Sequence, residues 1–395
     1  TITYTVSGSG GCSDATSTLD VTVTTAPNAG TLSGTSSVNP TGTSQLSSNG
    51  DAGGTYTSAS TGVATVTSSG LVTGIASGTA VITYTVSGSG GCSDATSTLT
   101  ITVTDSYVST GNGNWSSTGT WNGGIIPPAD ADVTISHDVN VDINTNDVDD
   151  ITINNGATLT VGAYTLEASG TVDVNGTLSI GANAVANIDG TYDATGGNTT
   201  FTGSGTLKLG STVTSLGTFA KATDCIVEYD GVNQTVFELD GSPVSNSYYD
   251  LVINGSGTKT LDGSSKIYGD LILTASDFDL AGNTIYPKNN ITRSSGNLIA
   301  SSSSNVTFDN SGSHNVCAFS DNDITLKTTS TGGSVTTTGN IDCKSIDLTS
   351  GSKTFLIDGE TVNIDDDLVV SAGTFHMTSG TLNINSNSST SALVE

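Results

Sequence analysis

The sequence predicts an all-β chain in which antiparallel sandwich modules lead into a right-handed parallel β-helix. Three observations predict it. The stretch Ile2 to Thr24 returns almost unchanged at Ile82 to Thr104, both copies reading ITYTVSGSGGCSDATSTL, which marks modules laid end to end at a fixed period. The residue stock is Thr, Val, Ile, Gly, Asn and Asp, and helix formers are scarce: Glu stands only at 167, 228, 238, 360 and 395, Lys and Arg total nine, and Met occurs once. After Thr104, short apolar–polar alternations recur at uneven, closer intervals with Gly, Asn or Asp turns between them.

Taken in order, residues 1–26 form the C-terminal part of a module that the chain enters midway, so the sequence reads as a piece of a longer protein. A turn-rich joint follows at Ala26-Pro27-Asn28-Ala29-Gly30, and residues 27–105 form one complete module. Its strands alternate at Val63 to Thr67, Leu71 to Thr73, Thr79 to Val86 and Leu99 to Val103, with turns at Ser69-Gly70 and Ser77-Gly78. A unit of that size made of short antiparallel strands suits an immunoglobulin-like sandwich.

Residues 106–395 form the third part. It opens with Asn114-Trp115-Ser116-Ser117-Thr118-Gly119-Thr120-Trp121, then Pro127-Pro128 and a strand at Asp132 to Ile135. Two tryptophans so close in sequence suit a sugar-stacking pair or a plug over the open end of a solenoid; the plug is preferred, because terminal repeats must be covered. Asn155 to Val161 is echoed at Asn175 to Ile180 and again at Ser204 to Leu209, with later strands at 251–253, 271–273, 346–348, 362–364, 368–370 and 382–384. Rungs of a parallel β-helix fit this pattern, and a dozen of them at about 4.8 Å apart would extend roughly 60 Å. A series of further sandwiches is the alternative, opposed by the absence here of the long period that joins the first two hairpins. The last residues, Val394-Glu395, continue a strand-like pattern, so the sequence is expected to run on.

A formal charge of −28 argues against nucleic acid, whose phosphates need a basic footprint, and against acidic polysaccharides and anionic membranes. No apolar run is long enough to span a bilayer. Cys12 and Cys92 occupy the same position in two module copies, and Cys225, Cys317 and Cys343 are scattered; no CxxC pair or Cys/His cluster suggests zinc.

The run GVATVTSSGLVTGIASGTAVITYTV resembles the bacterial immunoglobulin-like repeat of the Big-2 type, and GGCSDAT resembles its variant in secreted proteins of Bacteroidetes. That variant often carries a second Cys near the module start, where this chain has Ser36-Ser37-Val38, so the resemblance supplies no partner for Cys92. The segment GNWSSTGTWNGGIIPPADADVTISHDVNVD resembles the opening of β-helical domains exported by the type IX secretion system. YYDLVINGSGTKTLDGSSKIYGDLILTASDFDLAGNTI resembles their repeating body. Gliding-motility and attachment adhesins combine such parts, and the resemblance implies a secreted or surface-anchored relative of them.

Chemistry-bearing residues are few. Asp138-Val139-Asn140-Val141-Asp142-Ile143 alternates, so in a strand Asp138, Asn140 and Asp142 share one face while the valines and Ile143 share the other. With Asp147, Asp149 and Asp150 close behind, this oxygen density suits Ca²⁺, the one cofactor the sequence suggests. The spacing matches neither an EF-hand loop nor a GGxGxD roll, and a solvated strand face is the plainer reading. Asp365-Asp366-Asp367 is read alike. Asn154, Asn155, Asn254, Asn283, Asn383 and Asn385, at strand ends or turns, are read as structural, laddering between rungs. Arg293 is the only arginine, His137, His314 and His376 stand apart, and no GxSxG or HExxH motif occurs.

The expected function is therefore non-catalytic: extracellular adhesion or structural projection at a bacterial surface, with polysaccharide or other envelope proteins as partners and self-association into fibres open. Two alternatives are a carbohydrate-active β-helix enzyme on an immunoglobulin-like stalk and a subunit of an extracellular filament. An Asp cluster together with Arg293 or a Lys in one groove would favour the enzyme.

Overall fold

The computed structural model describes residues 1–104, 106–240 and 246–385. The pattern ending in Val394-Glu395 lies outside the described residues. The protein is all-β, with 2% helix confined to two short 3-10 turns, Thr118–Thr120 and Asn122–Gly124. Two compact units divide the chain, Thr1–Asp105 and Ser106–Glu395.

In the first unit, Ile2–Val6 and Ala15–Leu19 form an antiparallel hairpin. A four-stranded sheet follows in the order Ser37–Val38, Ala95–Val103, Gly78–Val86, Thr55–Ser58. A three-stranded sheet joins Thr43–Gln45, Leu71–Gly74 and Ala64–Val66. Alternation drives both: every second residue of Ala80, Ile82 and Tyr84 turns inward, and Ala80 and Ile82 meet Val38, Leu46, Ala64 and Val72. Gly54 has a steric reason, since a Cβ there would strike the Tyr84 ring, whose hydroxyl accepts from the Gly54 amide at 2.9 Å and donates to the Asp51 carbonyl at 2.7 Å.

The second unit is a parallel β-helix of about 12 turns. Three strands make each early turn, as in Ile151–Ile153, Thr158–Val161 and Thr165–Ala168, and each pairs in parallel with its counterpart a turn later. These parallel ladders replace the alternative of further antiparallel sandwiches. Val133 pairs with Ile151, Leu166 with Ala186 and Ile291 with Val316, so the turns are unequal in length and the later one is the longest of the three. Inward Val, Ile and Leu stack into one continuous core, joined by Cys225, Cys317 and Cys343. A glycine column, Gly170, Gly190, Gly210 and Gly231, marks one corner; a Cβ on Gly190 or Gly231 would strike the glycine carbonyl of the turn below.

Both tryptophans lie in the first turn, beside strands Ser106–Val108 and Gly113–Asn114 at the ends of their sheets. Trp115 and Trp121 are buried edge to face at 5.0 Å, and the Trp121 Nε1–H donates to the Trp115 carbonyl at 2.8 Å. Neither indole has a free face for a sugar.

Candidate functional site

The Asp138–Ile143 alternation holds only in part. The strand is Val139–Val141, with both valines buried and Asn140 outward, but it ends there and Ile143 is 37% exposed. The expected inward Ile143 is thus corrected: the turn begins before it. Asp138 Oδ1 accepts from the Thr158 amide at 3.0 Å, linking two turns. Asp142 bends toward the preceding turn, taking the Ser116 amide at 3.0 Å and hydroxyl at 2.6 Å. Burial pushes its carboxyl upward, but the Ser116 bonds, with help from Asn114, outweigh this and leave it below the usual carboxylate range. Asp138 and Asp142 therefore serve neighbouring turns rather than one focus. Among the described residues, no three His, Cys, Asp or Glu side chains gather as a metal set.

Asp149 stands among acids, and burial first, then Asp150, Asp132, Asp130 and Asp147, raises its carboxyl. Asp365, Asp366 and Asp367 are half-buried at a turn, where the first two amides donate to Cys343 and Lys344 carbonyls at 3.0 and 2.8 Å. Three of these asparagines bond across one turn, though not to one another: Asn154 reaches Ser136 at 2.9 Å, Asn254 reaches Glu228 at 2.6 Å, and Asn283 reaches the Leu261 carbonyl at 2.9 Å.

The residues that converge most are ones the sequence did not single out together. On one outward face, Ser320, Asp342, Asn363 and Asn383 stand in register on successive strands. The Ser320 hydroxyl donates to Asp342 Oδ2 at 2.5 Å, the Asn363 amide to Asp342 Oδ1, and the Asn383 amide to Asn363 Oδ1 at 2.7 Å. Two clefts meet over this ladder. One, of about 350 Å³, is lined by Arg293, Asn297, Asn340 and Asp342 among others; the second, of about 280 Å³, by Ser320, Asn322, Asp342, Asn363, Asp365 and Asn385. Ser320 and Asp342 belong to both, so the clefts form one groove with a guanidinium at one end and carboxylates at the other.

Arg293 is exposed yet fixed, its Nη1 donating to Asn297 Oδ1 at 2.8 Å and the Ala318 carbonyl at 3.0 Å. Phe319 is buried, so the groove offers hydrogen-bonding groups and no aromatic platform. Arg donors, amides and carboxylate oxygens side by side suit a neutral, hydroxyl-rich ligand. A local signal existed: Ile341-Asp342-Cys343, Val362-Asn363-Ile364 and Leu382-Asn383-Ile384 each put Asx between two apolar residues, one turn apart. A third cleft, about 520 Å³, lies in the first unit around Tyr56 and Tyr84, with Asp51 its one charged wall.

Three lysines are held by contacts within the solenoid. Lys208 bridges Glu228 at 3.4 Å and Asp230 at 3.5 Å, and Lys221 lies 4.0 Å over the Tyr268 ring. Lys259 is fully buried; its ammonium donates to the Gly231, Val232 and Ser256 carbonyls at 2.8, 3.2 and 3.0 Å and to the Ser276 hydroxyl at 3.2 Å. Burial holds it below the usual lysine range. Among the described residues, no helix is long and apolar enough to cross a membrane. No family model, no curated protein and no solved structure matches the chain.

Proposed function

We propose that this chain is a non-catalytic part of a large extracellular bacterial surface protein, in which the solenoid binds polysaccharide along its polar face and immunoglobulin-like modules give reach. The observation that carries the reading is the in-register ladder Ser320–Asp342–Asn363–Asn383 beneath an open groove. Such a face repeats one contact per turn, and repetition turns weak contacts into useful avidity. Support for the immunoglobulin-like assignment comes from the two sheets around Ile82 and Val72 and from the Big-2-like sequence. The gliding-adhesin lineage and type IX export rest on sequence resemblance. The buried indoles of the first turn support a capping role for Trp115 and Trp121. Assembly into fibres is a further part of the proposal, whereas the bonds of Asp138 and Asp142 to different turns give calcium at Asp138, Asn140 and Asp142 no geometric support.

One observation favours a second reading, a carbohydrate-active enzyme: Arg293 and Asp342 line the same cleft, with Asp365 in the adjoining one. One experiment separates the two. The protein is passed over a panel of neutral polysaccharides, with Ca²⁺ and with chelator, scoring both retention and new sugar ends. Retention without release, weakened at least tenfold in Asn363→Ala, is expected. Release of sugar ends would replace the adhesive reading by the enzymatic one, and loss of retention in chelator would bring calcium into the mechanism.

A further inference from the structure

The groove over the ladder has a direction. Arg293 ends the strand Ile291–Arg293, whose Ile291 pairs with Val316 of the next turn. Ser320 stands on the turn of Val316, Asp342 is its partner one turn on, and Asn363 is the partner of Asp342. Four successive turns thus line the two joined clefts, so the groove runs along the solenoid axis and across the strands. With parallel strands about 4.8 Å apart, the span from Arg293 to Asn363 is about 14 Å.

The groups along it are fixed before any ligand arrives. Asp342 takes the Ser320 hydroxyl at one carboxylate oxygen and the Asn363 amide at the other. Each of those oxygens keeps a second lone pair, and the Asn363 amide keeps a second N–H. The bonds of Arg293 Nη1 to Asn297 and Ala318 hold the guanidinium in place and leave its Nε and Nη2 donors for a ligand. Side chains already ordered lose little rotamer freedom on binding. Half-buried Ile299 adds an apolar surface for the face of a sugar ring.

We propose that the occupant of this groove is an unbranched, extended neutral polysaccharide of the β-1,4 type, laid along the solenoid axis with about one sugar ring per turn. The inference rests on the polysaccharide-binding reading above and deepens it to a linkage class. A pyranose linked through equatorial bonds on opposite sides of the ring gives a straight chain, which advances by close to one strand spacing per ring. An axial link bends the chain into a coil, whose rings leave the groove after their first contacts. A straight chain meets Arg293, Ser320, Asp342 and Asn363 in succession, offering oxygens to the guanidinium and hydroxyls to the carboxylate.

The test is calorimetric titration of the full chain with β-1,4-linked oligosaccharides of glucose, mannose and xylose of increasing length, beside α-1,4-linked oligosaccharides of glucose. At least one β-1,4 series is expected to gain affinity with each added ring up to about four and then to level off. Its four-ring member should bind at least tenfold tighter than the α-linked one. Arg293→Gln changes an exposed side chain and should weaken that ligand at least tenfold, whereas Tyr164→Ala, an exposed tyrosine elsewhere on the solenoid, should leave it unchanged. Suppose neutral polysaccharides are retained but no β-1,4 series binds, or α- and β-linked series bind alike, or affinity is flat with length. The linkage class is then wrong while the adhesive reading stands. Full affinity in Arg293→Gln would place the ligand elsewhere and overturn the proposal as well. Retention of no neutral polysaccharide at all would remove the adhesive reading itself, and this inference with it.

Discussion

The side-chain ladder that ties successive solenoid turns together can be cut at one rung. Asp270 Oδ1 accepts the Asn290 backbone amide at 2.9 Å and its side-chain amide at 3.2 Å, while the Asp270 amide donates to Asp250 Oδ1 at 2.7 Å. Asn290 Oδ1 in turn accepts from the Asn315 amide at 2.9 Å. Asp270→Ala removes two accepted bonds. Bonds to a charged acceptor contribute about 1.5–3 kcal/mol each when sheltered, and this corner is half-buried, so about 2 kcal/mol in total is expected. Asp270→Asn keeps the acceptor oxygen and removes a neighbouring like charge. Burial, and then the Asp270 and Asp224 charges, raise the Asp250 carboxyl against the pull of the Asp270 amide, so removing that charge is worth something too. The Asn variant should lie within about 0.5 kcal/mol of the native protein. Repeat arrays need not unfold in one step, so the readout is local: native-state exchange of the Asn290 amide, about thirtyfold faster in Asp270→Ala and nearly unchanged in Asp270→Asn. Equal acceleration in both variants would refute the argument, because charge rather than acceptor geometry would then hold the rung.

Further expectations are as direct. Iodoacetamide should label exposed Cys12 in the native protein, while Cys225, Cys317 and Cys343 react only on unfolding, since burial pushes their thiols to about 11, 11 and 12; mass spectrometry of labelled peptides checks this. Lys259→Met strips three carbonyls and a hydroxyl of their donor, a loss of about 3 kcal/mol, and should speed native-state amide exchange in Thr258–Leu261 on the order of a hundredfold; unchanged exchange would mean those groups find other partners. His314 is 1% exposed, its Nδ1 bonded to the Asn289 carbonyl at 2.7 Å and its Nε2 unpartnered. Burial holds it below the usual imidazole range, opposed by the Asn289 bond, with Lys353 and Lys288 adding to the depression and Asp309 against it. The unfolded chain then binds the proton more readily, so this contribution is full above about pH 6.5 and is lost as the pH falls below it. A Tm series from pH 8 to 5 should slope downward, less so in His314→Gln, and equal slopes would exclude His314.

Much of the architecture was legible because its causes are local. Ile151-Thr152-Ile153 and Leu166-Glu167-Ala168 alternate at the period of a strand, and alternation fixes which side chains turn inward whatever the neighbours are. Turn residues between such runs separate the strands, and the close recurrence of the runs points to stacked rungs. Ile143 was misplaced because alternation in sequence continues past Val141, where the backbone turns. Lys259 was not foreseen in the interior, although Thr258–Leu261 alternates so that Lys259 shares the inward face of Leu261. Nothing local reveals that carbonyls of the preceding turn wait there for an ammonium.

The sequence by itself determined the β class, the repeated module and the inward face of the strands whose alternation it shows, since these depend on neighbours within a short stretch of chain. Only the tertiary structure decided the register between turns. Turns of unequal length cannot be aligned by counting, so the stacking of Ser320 on Asp342 and of Asp342 on Asn363, and the arrival of Arg293 beside them, emerge only when the rungs are laid down.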